Sequence, residues 1–335
     1  MRRRRTLWII LLAVPVALLL ADTAYWWLAG RNLRYGYEAW LANAHATGWS
    51  VTTDRPKLGG WPLAATLSMR RVNLSGGAWD IPGGLGWSAD RLVLRVNLIR
   101  PGMLHANASG QQKLRVGDAP EIPYTSHRLE LALPLMAAPW PDQVDLSAEN
   151  LRDSNASVGM LDVHLTGIPP GPVSFTLHAT GINPPPDVAR PFGPGTASVS
   201  FDGTLAAAPA TADTPKQWMA AWRQANGSLK LEHFALTWGP LDLTATATLS
   251  LDDKLQPAGA ASAKATGYAE TLDSLATHSV ITRSAATAAK AVLSLLATVR
   301  PDGSAPSVEV PLALRDRTLS MSMVPLVKLP SVEWR

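Results

Sequence analysis

Leu241-Asp-Leu-Thr-Ala-Thr-Ala-Thr-Leu-Ser-Leu-Asp252 is the stretch that decides the fold. Leu241, Leu243, Ala245, Ala247, Leu249 and Leu251 fall on one parity, and Asp242, Thr244, Thr246, Thr248, Ser250 and Asp252 on the other. A period of two is the signature of a strand whose successive side chains point to opposite faces. Twelve alternating residues make a strand of ~40 Å, about twice the usual length. One face is apolar and the other is wet.

The same alternation recurs outward from that stretch. Leu92, Leu94, Val96 and Leu98 carry it, as do Leu129, Leu131 and Leu133, then Leu161, Val163 and Leu165, and Val173, Phe175 and Leu177. Near the end, Val308 to Leu314 and Leu319 to Met323 flank Arg315-Asp316-Arg317-Thr318 as a hairpin. Gly and Pro clusters such as Pro169-Pro170-Gly171-Pro172 and Pro184-Pro185-Pro186 punctuate the runs. Strands with one apolar face and short connections form antiparallel sheet. Helical spacing interrupts at Pro215 to Ala225, with Trp218, Met219 and Trp222 on one face, and at Tyr268 to Val299, a helix pair with Leu272, Leu275, Leu293 and Leu296.

The N-terminal part reads differently. Arg2 to Arg5 precede Thr6 to Leu28, 23 residues and ~35 Å as helix, enough to cross a ~30 Å hydrocarbon core. The arginines put the N-terminus in the cytoplasm by the positive-inside rule, and Tyr25, Trp26 and Trp27 take the place of an aromatic belt at the far interface. A cleaved signal peptide is the rival reading, although Ala21-Asp22-Thr23 is a poor small-x-small site. Both readings export the remainder. Beyond the span, Leu33, Tyr37, Trp40, Leu41 and Ala44 keep helical spacing as far as Gly48.

The expected fold is therefore mainly β (β-rich α+β). A transmembrane helix is followed by a long antiparallel sheet, strongly curved or trough-like, with a few helical insertions. In segments this gives a basic tail at 1–5, the membrane helix at 6–28 and a juxtamembrane helix at 29–48. A β-rich half at 49–205, an Ala/Pro-rich loop at 206–217 and a second β-rich half at 218–335, with a helical insertion at 268–299, complete it.

Composition removes several function classes. The net charge is +4, but Arg2 to Arg5 account for it, and the rest balances at 26 basic and 26 acidic residues. No basic face is left for nucleic acid. With no cysteine, disulfides, thiolate nucleophiles and Cys-based metal sites are excluded. The seven histidines stand singly, without metal-ligand spacing. No nucleophile elbow, phosphate loop or dinucleotide fingerprint occurs. No catalytic residue, metal ligand or cofactor is nominated, and the expectation is a non-enzyme.

Tryptophan is the anomaly, at 13 residues against nine Phe and Tyr together. Trp49, Trp61, Trp79 and Trp87 lie within 39 residues, beside Gly59-Gly60, Gly76-Gly77 and Gly83-Gly84. Core packing is the first reading, because buried Trp usually finds a partner for its N–H. The functional reading is an apolar groove or membrane-proximal surface that accepts acyl chains. Its candidate positions are Gly60, Trp61, Pro62, Trp79 and Trp87.

Leu58-Gly59-Gly60-Trp61-Pro62-Leu63 before a strand, Trp87-Ser88-Ala89-Asp90-Arg91-Leu92 before the next, and Val310-Pro311-Leu312-Ala313-Leu314-Arg315-Asp316 near the end carry a resemblance over nearly the whole chain. The sequence resembles the bacterial domain-of-unknown-function (DUF) 2125 family, for which no catalytic residues transfer. More loosely, it is similar to AsmA-like and TamB-like envelope proteins, whose sheets form an apolar-lined trough and which are associated with lipid movement. The anchor, the long one-faced strands and the low charge lead to the expectation of a single-pass bacterial inner-membrane protein with its bulk in the periplasm, binding a lipid or lipid-like ligand in envelope maintenance. The alternative is a structural or assembly factor that binds another envelope protein.

Overall fold

The computed structural model describes residues 2–77, 84–99, 101–135, 141–193, 195–209, 214–298, 305–321 and 324–334, with side chains described from 19 onward and not at 324–326. The chain is mainly β, with every strand pairing antiparallel. It divides into two compact units, residues 1–123 with 128–137, and residues 124–127 with 138–335. The Ala/Pro-rich loop at 206–217 falls inside the second unit.

The first unit begins with one unbroken helix, α1 (Arg2–Ala46). The expected membrane and juxtamembrane helices are a single element that ends, as the sequence suggests, before Gly48 at φ +83°. Its strands are β1 (Ser50–Thr52), β2 (Lys57–Gly59), β3 (Ala64–Gly76), β4 (Leu85–Asn97), β5 (Met103–Val116), the start of β6 (Ile122–Thr125) and β7 (Arg128–Pro134). β3 takes β1 and β2 along one side and β4 along the other. β5 then lies between β4 and β7.

Apolar side chains meet in register across this sheet. Leu67 faces Leu94, Leu94 faces Ala106, and Ala106 faces Leu131. α1 lies along that face. Its sheet-side residues follow helical spacing: Asp22, Trp26, Gly30, Leu33, Tyr37, Leu41 and Ala44 are half-buried or buried, with exposed residues between them. Leu33 packs with Leu67 and Val96, and Tyr37, Leu94 and Leu104 close around them. Leu67 is fully buried; removing such a side chain from water is worth about 1.5–3 kcal/mol. Trp40, expected on the packed face, is exposed and stacks on Tyr37 at 6.2 Å instead. Gly30 permits close approach, because a Cβ there would sit 2.7 Å from Leu58. Burial pushes the Tyr37 phenol up from its ordinary pKa.

Among the described residues no helix is long and apolar enough to cross a membrane. The apolar run Leu7 to Ala21, which carries the membrane expectation, lies mostly at positions 1–18, outside the described side chains.

The second unit runs β8 (Gln143–Arg152), β9 (Ser157–Thr166), β10 (Val173–Ile182), α2 (Pro186–Ala189) with a 3-10 turn at Arg190–Phe192, β11 (Ala197–Ala206), α3 (Pro215–Gln224), β12 (Ser228–Trp238), β13 (Leu241–Leu251) and β14 (Pro257–Thr266). After these come α4 (Tyr268–Thr277), α5 (Arg283–Leu296), β15 (Ala297–Thr298), β16 (Ser307–Arg315), β17 (Thr318–Met321) and β18 (Val324–Lys328). From β8 to β14 each strand pairs with the next, and β16 follows β14.

The helices sit at strand connections where the sequence places them. α3 starts on a Thr214 cap that accepts from the Gln217 N–H, with Pro215 in the first turn. Its Trp222 is buried and donates to the Ala206 carbonyl at 2.8 Å. α4 and α5 form the expected pair, and the β16–β17 hairpin turns at Asp316 and Arg317, both at positive φ.

Candidate functional site

Register determines which side chains of the second unit share a face. One row reads Leu146, Val163, Leu177, Phe201, Phe234, Ala245, Ala263, Val310, each directly opposite the next on eight successive strands. The adjacent row on the same face reads Val144, Leu165, Phe175, Gly203, Leu231, Ala247, Ala261, Leu312. No polar residue interrupts either row. At about 4.8 Å per strand the apolar face is ~34 Å wide.

Every residue of the first row is only half-buried. A face that were the floor of a closed core would be fully buried, as Leu67 and Met69 are in the first unit. The contacts of α3, α4 and α5 with the strands concentrate on β13 and β16, and Val308 of β16 is fully buried.

The face also has relief. Across β13 and β14 the pairs are Ala245–Ala263 and Ala247–Ala261, with Leu249 opposite Gly259. Leu231, Phe234 and Leu236 stand beside this lane on β12, and Val308, Val310 and Leu312 on β16. Small residues between two lines of large ones form a shallow channel parallel to the strands. On β14 the small residues run from Gly259 to Ala265, ~20 Å at about 3.3 Å per residue. The side chains along this lane are apolar.

The opposite face is polar. Asp145, His164, Thr176, Asp202 and His233 face one another across β8 to β12. His164 bonds Asp145, and His178 lies 3.8 Å from Asp202. In the first unit His105 bonds Glu130 at 2.7 Å. Burial alone would raise the Glu130 pKa, but hydrogen bonds from Arg128 and His105 outweigh it and hold the carboxyl below its ordinary range. These partners lie on neighbouring strands or two residues away, so spacing along the sequence conceals the His–acid pairs. Among the described residues no group of three His, Cys, Asp or Glu is placed to hold a metal.

The tryptophan motif of the sequence lies in the first unit, and its members do not share one groove. Gly60, at φ +90°, turns the chain after β2, where a Cβ would press on the Ala64 carbonyl at 2.5 Å. Trp61 follows, half-exposed, donating to the Thr23 hydroxyl at 3.2 Å; Pro62 completes the turn. Trp26 of α1 donates to the Gly59 carbonyl at 3.2 Å, so this turn is a fastening point for the helix. Trp87 lies in β4 opposite Leu74 and Leu114, toward the other end of the sheet. At that end the Trp49 ring lies against Gly76, where a Cβ would meet it at 2.6 Å. Trp79 lies outside the described residues.

The family model described as an uncharacterized protein conserved in bacteria (DUF2125) matches residues 26–330. The chain belongs to the DUF2125 family. The matched DUF2125 region begins at Trp26, which bonds the β2–β3 turn, and takes in the strands of both units. Comparisons with curated proteins and with solved structures give no match.

Proposed function

We propose that this DUF2125 member is a non-enzymatic, single-pass inner-membrane protein whose periplasmic sheet shelters a lipid or lipid-like chain on the apolar face of the second unit. The observation that carries the reading is the pair of uninterrupted apolar rows whose side chains stay partly open to solvent. A soluble protein seldom leaves a contiguous apolar surface of this width uncovered unless it binds something there. The alanine lane gives that surface a channel, and the sparse charge around it suits an uncharged acyl chain. An envelope-maintenance role follows from the ligand class, in line with the looser similarity to trough-forming AsmA-like and TamB-like proteins.

The membrane part of the proposal rests on sequence. Leu7 to Ala21 is apolar, Arg2 to Arg5 precede it, and Tyr25 and Trp27 are exposed at its far end.

The test is lipid mass spectrometry on the full chain, exchanged into one defined detergent, for wild type and for Phe201→Asp/Phe234→Asp. Lipid held by the anchor is common to both proteins, so the difference isolates the sheet. The proposal expects about one acyl lipid more per wild-type chain. Equal lipid content would remove the lipid reading and turn the search to an envelope protein that covers the same face.

A further inference from the structure

We infer that the end of the first unit's sheet nearest residue 23 is itself a membrane-contacting surface, seated in the acyl–headgroup boundary of the leaflet on the sheet's side. The inference rests on the anchor reading above and goes beyond it, because a single-pass anchor alone requires no sheet residue to touch lipid.

Three connections meet at this end. The β2–β3 turn presents Trp61 and Leu63, which are 51% and 63% exposed; Ile99, two residues after β4, is 81% exposed; and Leu135 after β7 is 42% exposed. They are held side by side by backbone. The Leu98 N–H donates to the Leu63 carbonyl at 3.1 Å, and the Leu135 N–H to the Gly102 carbonyl at 3.0 Å. Large apolar residues on adjoining turns make a patch rather than scattered exposure.

The height of the patch follows from α1. Trp61 bonds Thr23 and Trp26 bonds the Gly59 carbonyl, so the turn is fixed beside the part of the helix that the sequence assigns to the membrane. Thr23 precedes Leu28, the end of that span, by ~7.5 Å of helix rise. That is about the depth at which interfacial apolar groups sit. Tyr25 and Trp27 are exposed at the same level, and Arg31 lies over the Trp27 ring at 5.6 Å, a cation placed just beyond the belt. Trp61 therefore extends the aromatic belt of α1 onto the sheet.

The opposite end of this sheet is built for water. Val116 and Ile122 are exposed there too, but Arg115, Asp118 and Glu121 surround them. The occupant is thus specified by position: an apolar end continuous with the anchor belongs in lipid, and a charged end some 14 residues farther along the strands does not.

The chain has no cysteine, so single-cysteine variants of the full-length protein report unambiguously. Leu12→Cys, Leu63→Cys, Ile99→Cys and Val116→Cys are labelled with an environment-sensitive fluorophore in phosphatidylcholine vesicles with or without brominated acyl chains. The expected result is at least twofold quenching at Leu12, Leu63 and Ile99, with none at Val116. Quenching at Leu12 with Leu63 and Ile99 no different from Val116 overturns this inference and leaves the anchor standing. No quenching at Leu12 overturns the anchor reading and this inference with it.

Discussion

The two units use the same strand pattern and finish it differently. In the first, α1 lies along the apolar face, and Leu67, Met69, Ala65 and Val96 disappear from solvent beneath it. In the second, apolar rows of equal regularity stay half-open, and the helices gather at strand connections. An alternating strand states only that one face is apolar. Whether that face becomes core or binding surface depends on what the chain supplies to cover it. The first unit supplies its own cover, and the second leaves its apolar rows partly open to solvent.

The largest expected effect separates the units by stability. Leu67→Ala removes a fully buried side chain and should cost about 3 kcal/mol in denaturant unfolding, within the range for cavity-forming core truncations. Leu177→Ala, at a partly buried position of the second unit, should cost about 1 kcal/mol, since part of its surface is already hydrated. Equal losses would erase the distinction.

Next in size is the helix–sheet contact itself. Gly30→Val places a side chain into Leu58 and should destabilise the first unit by about 2 kcal/mol, as overpacking does. Hydrogen exchange should show the loss in β2 and β3 and leave β10 to β13 unchanged. Uniform loss across both sheets would contradict the assignment of α1 to the first unit alone.

The smallest effect is electrostatic. The Glu130 carboxyl is held below its ordinary pKa in the folded chain, so folding disfavours its protonation. Its contribution is present above the ordinary glutamate range and is lost as pH falls through the lowered value. With Arg128 half-exposed, the expected cost of Glu130→Gln at neutral pH is about 0.5–1 kcal/mol, fading on acidification. A cost that grew as pH fell would reverse the sign and refute the pairing.

Much of the fold was legible in advance. Strict alternation from Leu241 to Asp252 corresponds to β13, and the spacing of Trp218 and Trp222 to α3. The site was not, because it exists only across strands. Nothing local indicates that Phe201 faces Phe234, or that Ala245 and Ala263 pair to floor a lane. Register comes from pairings between residues far apart in sequence. The tryptophans separate for the converse reason. Trp61 and Trp87 are close in sequence, but a 13-residue β3 carries them to opposite ends of one sheet. Trp61 marks where α1 is fastened, and the half-open rows lie in the strands that carry Phe175, Phe201 and Phe234.

A photocrosslinking comparison in intact cells tests the central claim most directly. A diazirine amino acid placed at Phe201 or Phe234 looks onto the open face, one at Leu67 lies under α1, and one at Thr246 lies on the polar side of β13. The account predicts phospholipid-mass adducts from Phe201 and Phe234 and none from Leu67 or Thr246. Adducts of equal yield at all four, or none at Phe201 and Phe234, would contradict a lipid-sheltering face in the second unit.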